Sequence, residues 1–144
     1  MVTDEELVAL FPGAGVSHDS ATHYRGRLQE QLLINSCRDC GHWHQPPRPL
    51  CPSCQSWNVE AKEIAGTGTV HLVTRLRQGP PAEGVDYTNG YLVVTVELDE
   101  QPGLRFTSTL LNAPEEELLI GRRVHLDWRR RGPAPLPVFV LDER

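Results

Sequence analysis

The sequence predicts a mainly β fold with helices leading in at the N-terminus. Three observations carry that expectation. Among 144 residues there are 12 Gly and 12 Pro, a load that suits short strands and many turns better than a helical bundle. All four cysteines form two C-x2-C pairs inside the stretch from Cys37 to Cys54. After residue 65 the chain offers five β-rich runs separated by turn sequences.

Thr3-Asp4-Glu5-Glu6 reads as a capping box opening a short helix through about Leu10, which Phe11-Pro12-Gly13 stops. A second helix is expected after Ser17, running to about Gln31, with Tyr24, Leu28 and Leu32 at four-residue steps on one face. Leu32-Leu33-Ile34 then enters the cysteine region as a short strand.

Cys37-Arg38-Asp39-Cys40-Gly41 and Cys51-Pro52-Ser53-Cys54-Gln55 have the spacing of a rubredoxin-like zinc ribbon, in which each pair forms a tight turn that aims two sulfurs at one ion. We expect Cys37, Cys40, Cys51 and Cys54 to hold one structural zinc. Four thiolates leave no open position for water, which argues against a catalytic metal. The nearby prolines argue against a thioredoxin-like redox turn, which belongs at the start of a helix. His42 and His44 lie close enough in sequence to replace a cysteine, but four cysteines already complete the tetrahedron, so both are expected on the ribbon surface. Trp43 and Trp57 flank the site and are expected to give a ribbon too small for its own core its apolar cover.

The barrel runs follow. Thr69–Arg75 is β-rich, residues 78–84 form a Gly/Pro loop, and Tyr91–Leu98 is the strongest strand signal in the chain. Leu104–Leu110 is the third strand. Pro114 with Glu115, Glu116 and Glu117 has the signature of a short helix ending at Gly121, its acids a solvated first turn. Arg123–Arg129 and Pro137–Leu141 complete five strands with a helix between the third and fourth, the layout of an OB-fold barrel. The expected organisation is an N-terminal helical segment over 1–34, a zinc ribbon over 35–64 and the barrel over 65–144.

Charge and hydropathy narrow the function. Fourteen basic residues against 19 acidic ones give −5; zinc on four thiolates takes this to about −7. An acidic chain is a poor default binder of nucleic acid. No apolar run approaches the roughly 20 residues of a membrane-spanning helix, and the acidic N-terminus does not read as a secretory signal, so a cytoplasmic location is expected. No G-x-S-x-G or H-E-x-x-H occurs, and the cysteines are committed to metal. The six histidines, His18, His23, His42, His44, His71 and His125, are scattered, and no catalytic residue is assigned. The concentrated positive charge is Arg129-Arg130-Arg131, with Arg122-Arg123 nearby. It is a candidate contact for the phosphates of coenzyme A or for acids of a partner, because the guanidinium fork binds two oxygens at once. A solvated strand end is the alternative.

The order of Tyr24…Leu28…Leu32, Cys37-x2-Cys40-Gly41, Pro47-Arg48-Pro49-x-Cys51-Pro52-x-Cys54, Gly66-x-Gly68-Thr69-Val70, Val96-x-Leu98-Asp99-Glu100 and Gly121-x-x-Val124 resembles the zinc-ribbon/OB-fold family catalogued as domain of unknown function thirty-five. The resemblance spans nearly the whole chain. Where that family has an aromatic–Trp pair, this chain has His23-Tyr24. The resemblance implies a non-catalytic accessory subunit, or a domain cut from a hydratase fusion, that binds and activates or stabilises a thiolase-superfamily acyl-CoA enzyme. It implies as partner a lipid-transfer-protein-like aldolase or a thiolase, in the steroid case a retro-aldolase acting on a hydroxyacyl-CoA in side-chain degradation and releasing propionyl-CoA. Acyl-CoA would then be shared with the partner. Two alternatives stand beside this reading. One is a component of a MaoC-type enoyl-CoA hydratase, or an acyl-CoA-channelling protein. The other is an OB-fold that binds single-stranded nucleic acid, which needs aromatic platforms such as Tyr91, Phe106, Trp128 and Phe139 and a basic groove.

Overall fold

Helix α1 (Asp4–Leu10) begins where the sequence indicates: the Thr3 hydroxyl accepts from the Glu6 N–H, and the Glu6 side chain returns to the Thr3 N–H. The computed structural model describes residues 1–82, 84–114 and 118–143. Helix α2 (Ala21–Leu28) is shorter at both ends than expected. At its start the Ser20 hydroxyl accepts from the Ser17 N–H at 2.9 Å, so residues 17–20 form a turn instead of helix. At its end Glu30 takes a left-handed φ of 55° and the Gln31 N–H closes on Gly26 O at 2.9 Å, a Schellman-type stop. Leu32 therefore lies beyond the helix, in the buried core at 1% exposure, and not on a shared helical face.

A small sheet of order β2-β1-β3 follows, from β1 (Leu33–Cys37), β2 (Trp43–His44) and β3 (Val59–Glu63). The second sheet has the order β6-β5-β4-β8-β9-β7, from β4 (Thr67–Leu76), β5 (Tyr91–Leu98), β6 (Arg105–Ser108), β7 (Leu110–Leu111), β8 (Arg123–Arg131) and β9 (Ala134–Leu141). The expected third strand is split at Thr109, whose hydroxyl donates to Leu92 O at 2.7 Å and whose carbonyl accepts from the Phe139 N–H. Because β6 and β7 are consecutive halves of one run, the sheet order returns to its starting point. The parallel β7–β9 pair closes the OB barrel. The expected helix at Pro114–Gly121 falls on Glu115, Glu116 and Glu117, which lie outside the described residues. Leu118 and Leu119 are irregular, and Ile120 with Gly121 forms a turn.

Strand β5 alternates regularly, with Leu92, Val94, Val96 and Leu98 turned inward. Strand β4 does not. Its register against β5 shifts between Val70 and Leu72, so His71 is an extra residue in a β-bulge. The bulge moves the inward side from Val70 to Val73 and leaves Leu72 exposed. At the start of β4, a Cβ on Gly68 would lie 2.5 Å from Glu97 O, so only glycine permits this approach of the two strands.

Ribbon and barrel share one core. Leu32, Ile34 and Ile64 belong to the same buried cluster as Val94, Phe106 and Phe139. Between the two sheets, the Gln101 side-chain carbonyl accepts from the Trp43 N–H, and its amide donates to Trp43 O, both at 2.9 Å. Trp43 packs against the common core as expected. Trp57 does not: it is 76% exposed, because the shared core already covers the ribbon on its barrel side. Helix α2 lies against β9 and β1.

Candidate metal centre

Two turns of the same construction present the cysteines. In the first, the Cys37 N–H donates to His42 O and the Gly41 N–H to Cys37 O. In the second, the Cys51 N–H donates to Ser56 O and the Gln55 N–H to Cys51 O; all four bonds are 2.9 Å. The left-handed position of each turn is held by Gly41 (φ 78°) and Gln55 (φ 63°).

The four Sγ atoms lie within 4.8 Å of one another. Cys37 and Cys54 are 3.6 Å apart and Cys40 and Cys51 3.7 Å. A Zn–S bond of about 2.3 Å in a tetrahedron sets sulfurs about 3.8 Å apart, whereas a disulfide needs about 2.05 Å. The donor set therefore fits zinc, and Cys37, Cys40, Cys51 and Cys54 would hold it. Among the described residues the cluster contains cysteines alone. His42 and His44 remain outside it. The His44 ring, expected on the ribbon surface, is instead buried beside β1, with Nε2 3.4 Å from Arg48 O, and burial lowers its pKa.

Local electrostatics ask for a cation. The backbone N–H of Cys54, assisted by that of Ser53, holds the Cys51 thiol down at about 7; the N–H groups of Cys40 and Asp39 lower Cys37 in the same way. The Ser56 N–H favours the Cys54 thiolate, but the Cys40 thiol, burial and the other two thiols outweigh it and push Cys54 up to about 12. Sulfurs this close cannot all ionise unless a positive ion sits among them. Around the site, the Ser56 hydroxyl donates to Asp39 at 2.5 Å and the Asn58 amide at 3.1 Å, tying one turn to the chain that leaves the other. Those two bonds hold the Asp39 carboxyl below the usual range.

The arginine run is distributed. Arg129 and Arg130 are exposed on β8, and strand alternation sends them to opposite faces; the Arg131 side chain lies outside the described residues. Nearby Arg123 makes a two-point pair with Asp99, at 2.7 and 2.5 Å. That pair and the Thr67 hydroxyl hold the Asp99 carboxyl down at about 2. Asp99 of the Val96-x-Leu98-Asp99-Glu100 stretch thus joins β4, β5 and β8, and Glu100 accepts from the Ala65 N–H at 2.9 Å. His23, one of the six scattered histidines, is 3% exposed, its ring centroid 6.2 Å from that of Phe106, a burial that the sequence does not show.

Fold and site together define a zinc-ribbon/OB-fold protein. Residues 25–60 match the family model described as ChsH2, rubredoxin-like zinc ribbon domain, and residues 61–129 that described as ChsH2, C-terminal OB-fold domain. The chain belongs to the DUF35 family: it is 32% identical over 108 residues to a DUF35 domain-containing scaffold protein of Pyrococcus furiosus, covering 75% of this chain and 74% of that protein. It is 33% identical over 138 residues to a probable enoyl-CoA hydratase alpha subunit of Thermomonospora curvata, covering 95% of this chain. The chain spans only 42% of that relative's length. Among solved structures, a chain of the Ltp2-ChsH2(DUF35) aldolase superposes with a TM-score of 0.77 at 33% identity, covering 88% of this chain and 97% of that one. A crystal structure of a DUF35 protein of unknown function from Sulfolobus solfataricus shares the fold, with a TM-score of 0.58 at 16% identity over 94% of this chain and 92% of that one. No helix among the described residues is long and apolar enough to cross a membrane.

Proposed function

We propose that this chain is a non-catalytic accessory subunit or domain that binds a thiolase-superfamily aldolase and activates or stabilises it. The observation that carries the reading is the likeness, over 97% of its length, to a chain of the Ltp2-ChsH2(DUF35) aldolase. The scaffold description of the Pyrococcus relative supports the same role. Zinc has a structural part: it fixes the ribbon, and the ribbon with the barrel makes one pre-formed surface. In its finer form the proposal is a cytoplasmic retro-aldolase complex of steroid side-chain degradation, cleaving a hydroxyacyl-CoA and releasing propionyl-CoA. The partner would supply the reacting groups, and this chain would wall off its substrate tunnel, excluding water and orienting the acyl chain. Arg129, Arg130 and Arg131 are proposed to meet coenzyme A phosphates or acids of the partner.

The test is to produce the thiolase-fold aldolase with and without this chain. Co-purification, and loss of carbon–carbon cleavage when the chain is withheld, are expected; an isolated partner with full activity overturns the proposal. A second reading, a component of an enoyl-CoA hydratase, rests on the name of the Thermomonospora relative. It predicts instead that a MaoC-type hydratase is the protein retained. The nucleic-acid reading draws little support from the barrel aromatics, since Phe106 and Phe139 are buried and Trp128 packs on the core.

A further inference from the structure

A cavity of about 480 Å³ lies where the segment after α1, the loop preceding β5 and the turn between β8 and β9 meet. Leu10, Phe11, Ala82, Pro133 and Leu136 stand in its walls, and Arg27 of α2 is the charged residue among the described lining. The Arg27 guanidinium is held in place. Its Nε–H donates to His23 Nε2 at 3.1 Å, and its Cζ lies 4.9 Å from the Tyr24 ring centroid and 5.9 Å from that of Phe106. His23 donates its Nδ1–H to Leu33 O at 2.7 Å, which leaves Nε2 as the acceptor.

Among the described residues no anion faces Arg27. Arg25 pairs with Asp4, Arg38 with Glu60, Arg105 with Glu97 and Arg123 with Asp99. Arg27 has no carboxylate among the described residues, although burial disfavours its charge. A desolvated cation without a counter-charge is costly, and aromatic faces offset only part of that cost. Among the described residues its hydrogen-bond partner engages Nε alone, and Arg27 lines the cavity. Arg129 stands nearby, outside the described lining. It lies opposite Leu136 across the β8–β9 ladder, and its guanidinium is the group nearest Gly84 in the neighbouring loop.

We propose that this cavity binds an apolar carboxylate, a small organic acid whose carboxylate takes the open fork of Arg27 while its hydrocarbon body lies against Leu10, Phe11 and Leu136. The volume falls in the range of small-molecule pockets, about 300–1,000 Å³. Apolar walls with one guanidinium suit a singly charged group on a hydrocarbon; a phosphate would leave most of its oxygens without donors here. The site is independent of any aldolase partner.

Titration calorimetry of the zinc-loaded full chain with octanoate, octanamide and inorganic phosphate tests it. Octanoate is expected to bind once per chain and about tenfold or more tightly than octanamide, as one charge-assisted pair requires. Phosphate is expected to give no heat. Arg27→Met should abolish the preference for octanoate. Ala82→Trp, which leaves Arg27 in place but fills the cavity from its rim, should abolish binding of both probes; melting and zinc content show that each variant is folded. The proposal is overturned if octanoate and octanamide bind alike, if phosphate binds as well as octanoate, or if octanoate binding survives Ala82→Trp. It is also overturned if octanoate is silent while Arg27→Met weakens a complex with a partner protein, since the cavity would then serve a protein carboxylate.

Discussion

Gln55 holds a backbone conformation that its side chain disfavours. Its φ of 63° matches the 78° of Gly41 at the equivalent place in the other cysteine turn, yet only Gly41 lacks a Cβ. Gln55→Gly should therefore stabilise the protein by about 1 kcal/mol, read as a shifted urea midpoint with unchanged zinc content; a destabilised variant would show that the glutamine side chain contributes something else. Glu30, at φ 55°, explains why the end of α2 is not legible in the sequence: a left-handed stop without glycine carries no signal. The capping box at Thr3 and the cysteine spacing were legible because each writes its geometry into residue type. His23 was not, since burial is a tertiary property. Desolvation first, then the charge of Arg27, lowers its pKa from 6.5 to about 4. Below 6.5 the unfolded chain takes up a proton that the folded chain refuses, so stability is full above that pH and falls as the pH drops toward 4. The expected loss is about 1 kcal/mol by pH 5.5 and about 3 kcal/mol in all. Comparing urea midpoints at pH 7.5 and 5.5 checks it; His23→Gln should flatten the difference, and an equal slope in both proteins would remove His23 as its source.

Among the elements, β5 follows its alternation and β4 defies it. Val70 and Leu72 share a parity that reads as one buried face, but the extra residue His71 turns Leu72 out and Val73 in. A bulge leaves no mark in composition, so the strand was legible and its facing was not. The same holds for the third strand, where the interruption depends on Thr109 reaching Leu92 O. Gly68, by contrast, has a sign that a sequence rule would invert. Replacing a strand glycine usually helps, but here a methyl group would meet Glu97 O and Val96 at 2.5 and 2.6 Å. Gly68→Ala should cost about 1–3 kcal/mol, seen as a lower melting temperature; a neutral result would mean that β4 and β5 can separate without loss.

At the scale of the molecule, the ribbon is not an appended module. Because Leu32, Ile34 and Ile64 sit in the barrel's own cluster and Gln101 clamps Trp43, removing zinc should reach both parts. Chelation is expected to lower the melting temperature of ribbon and barrel together, in one transition followed by tryptophan fluorescence and by circular dichroism. A barrel transition that stays where it was would show two independent units. The architecture was legible as an order of motifs, whereas the shared core depends on contacts distant in sequence. The packing of α2 on β9 carries that distance furthest. The helix ends at Leu28, and the strand that covers it begins only at Ala134. A nascent chain emerging from the ribosome must hold the side of α2 that meets β9 uncovered until nearly all of β9 has been made. Closure of the barrel thereby waits for the synthesis of β9, and such long-range closure belongs to the slow, millisecond-to-second class. Truncation within β9 should leave a chain that cannot close its barrel and that presents the waiting helix to chaperones.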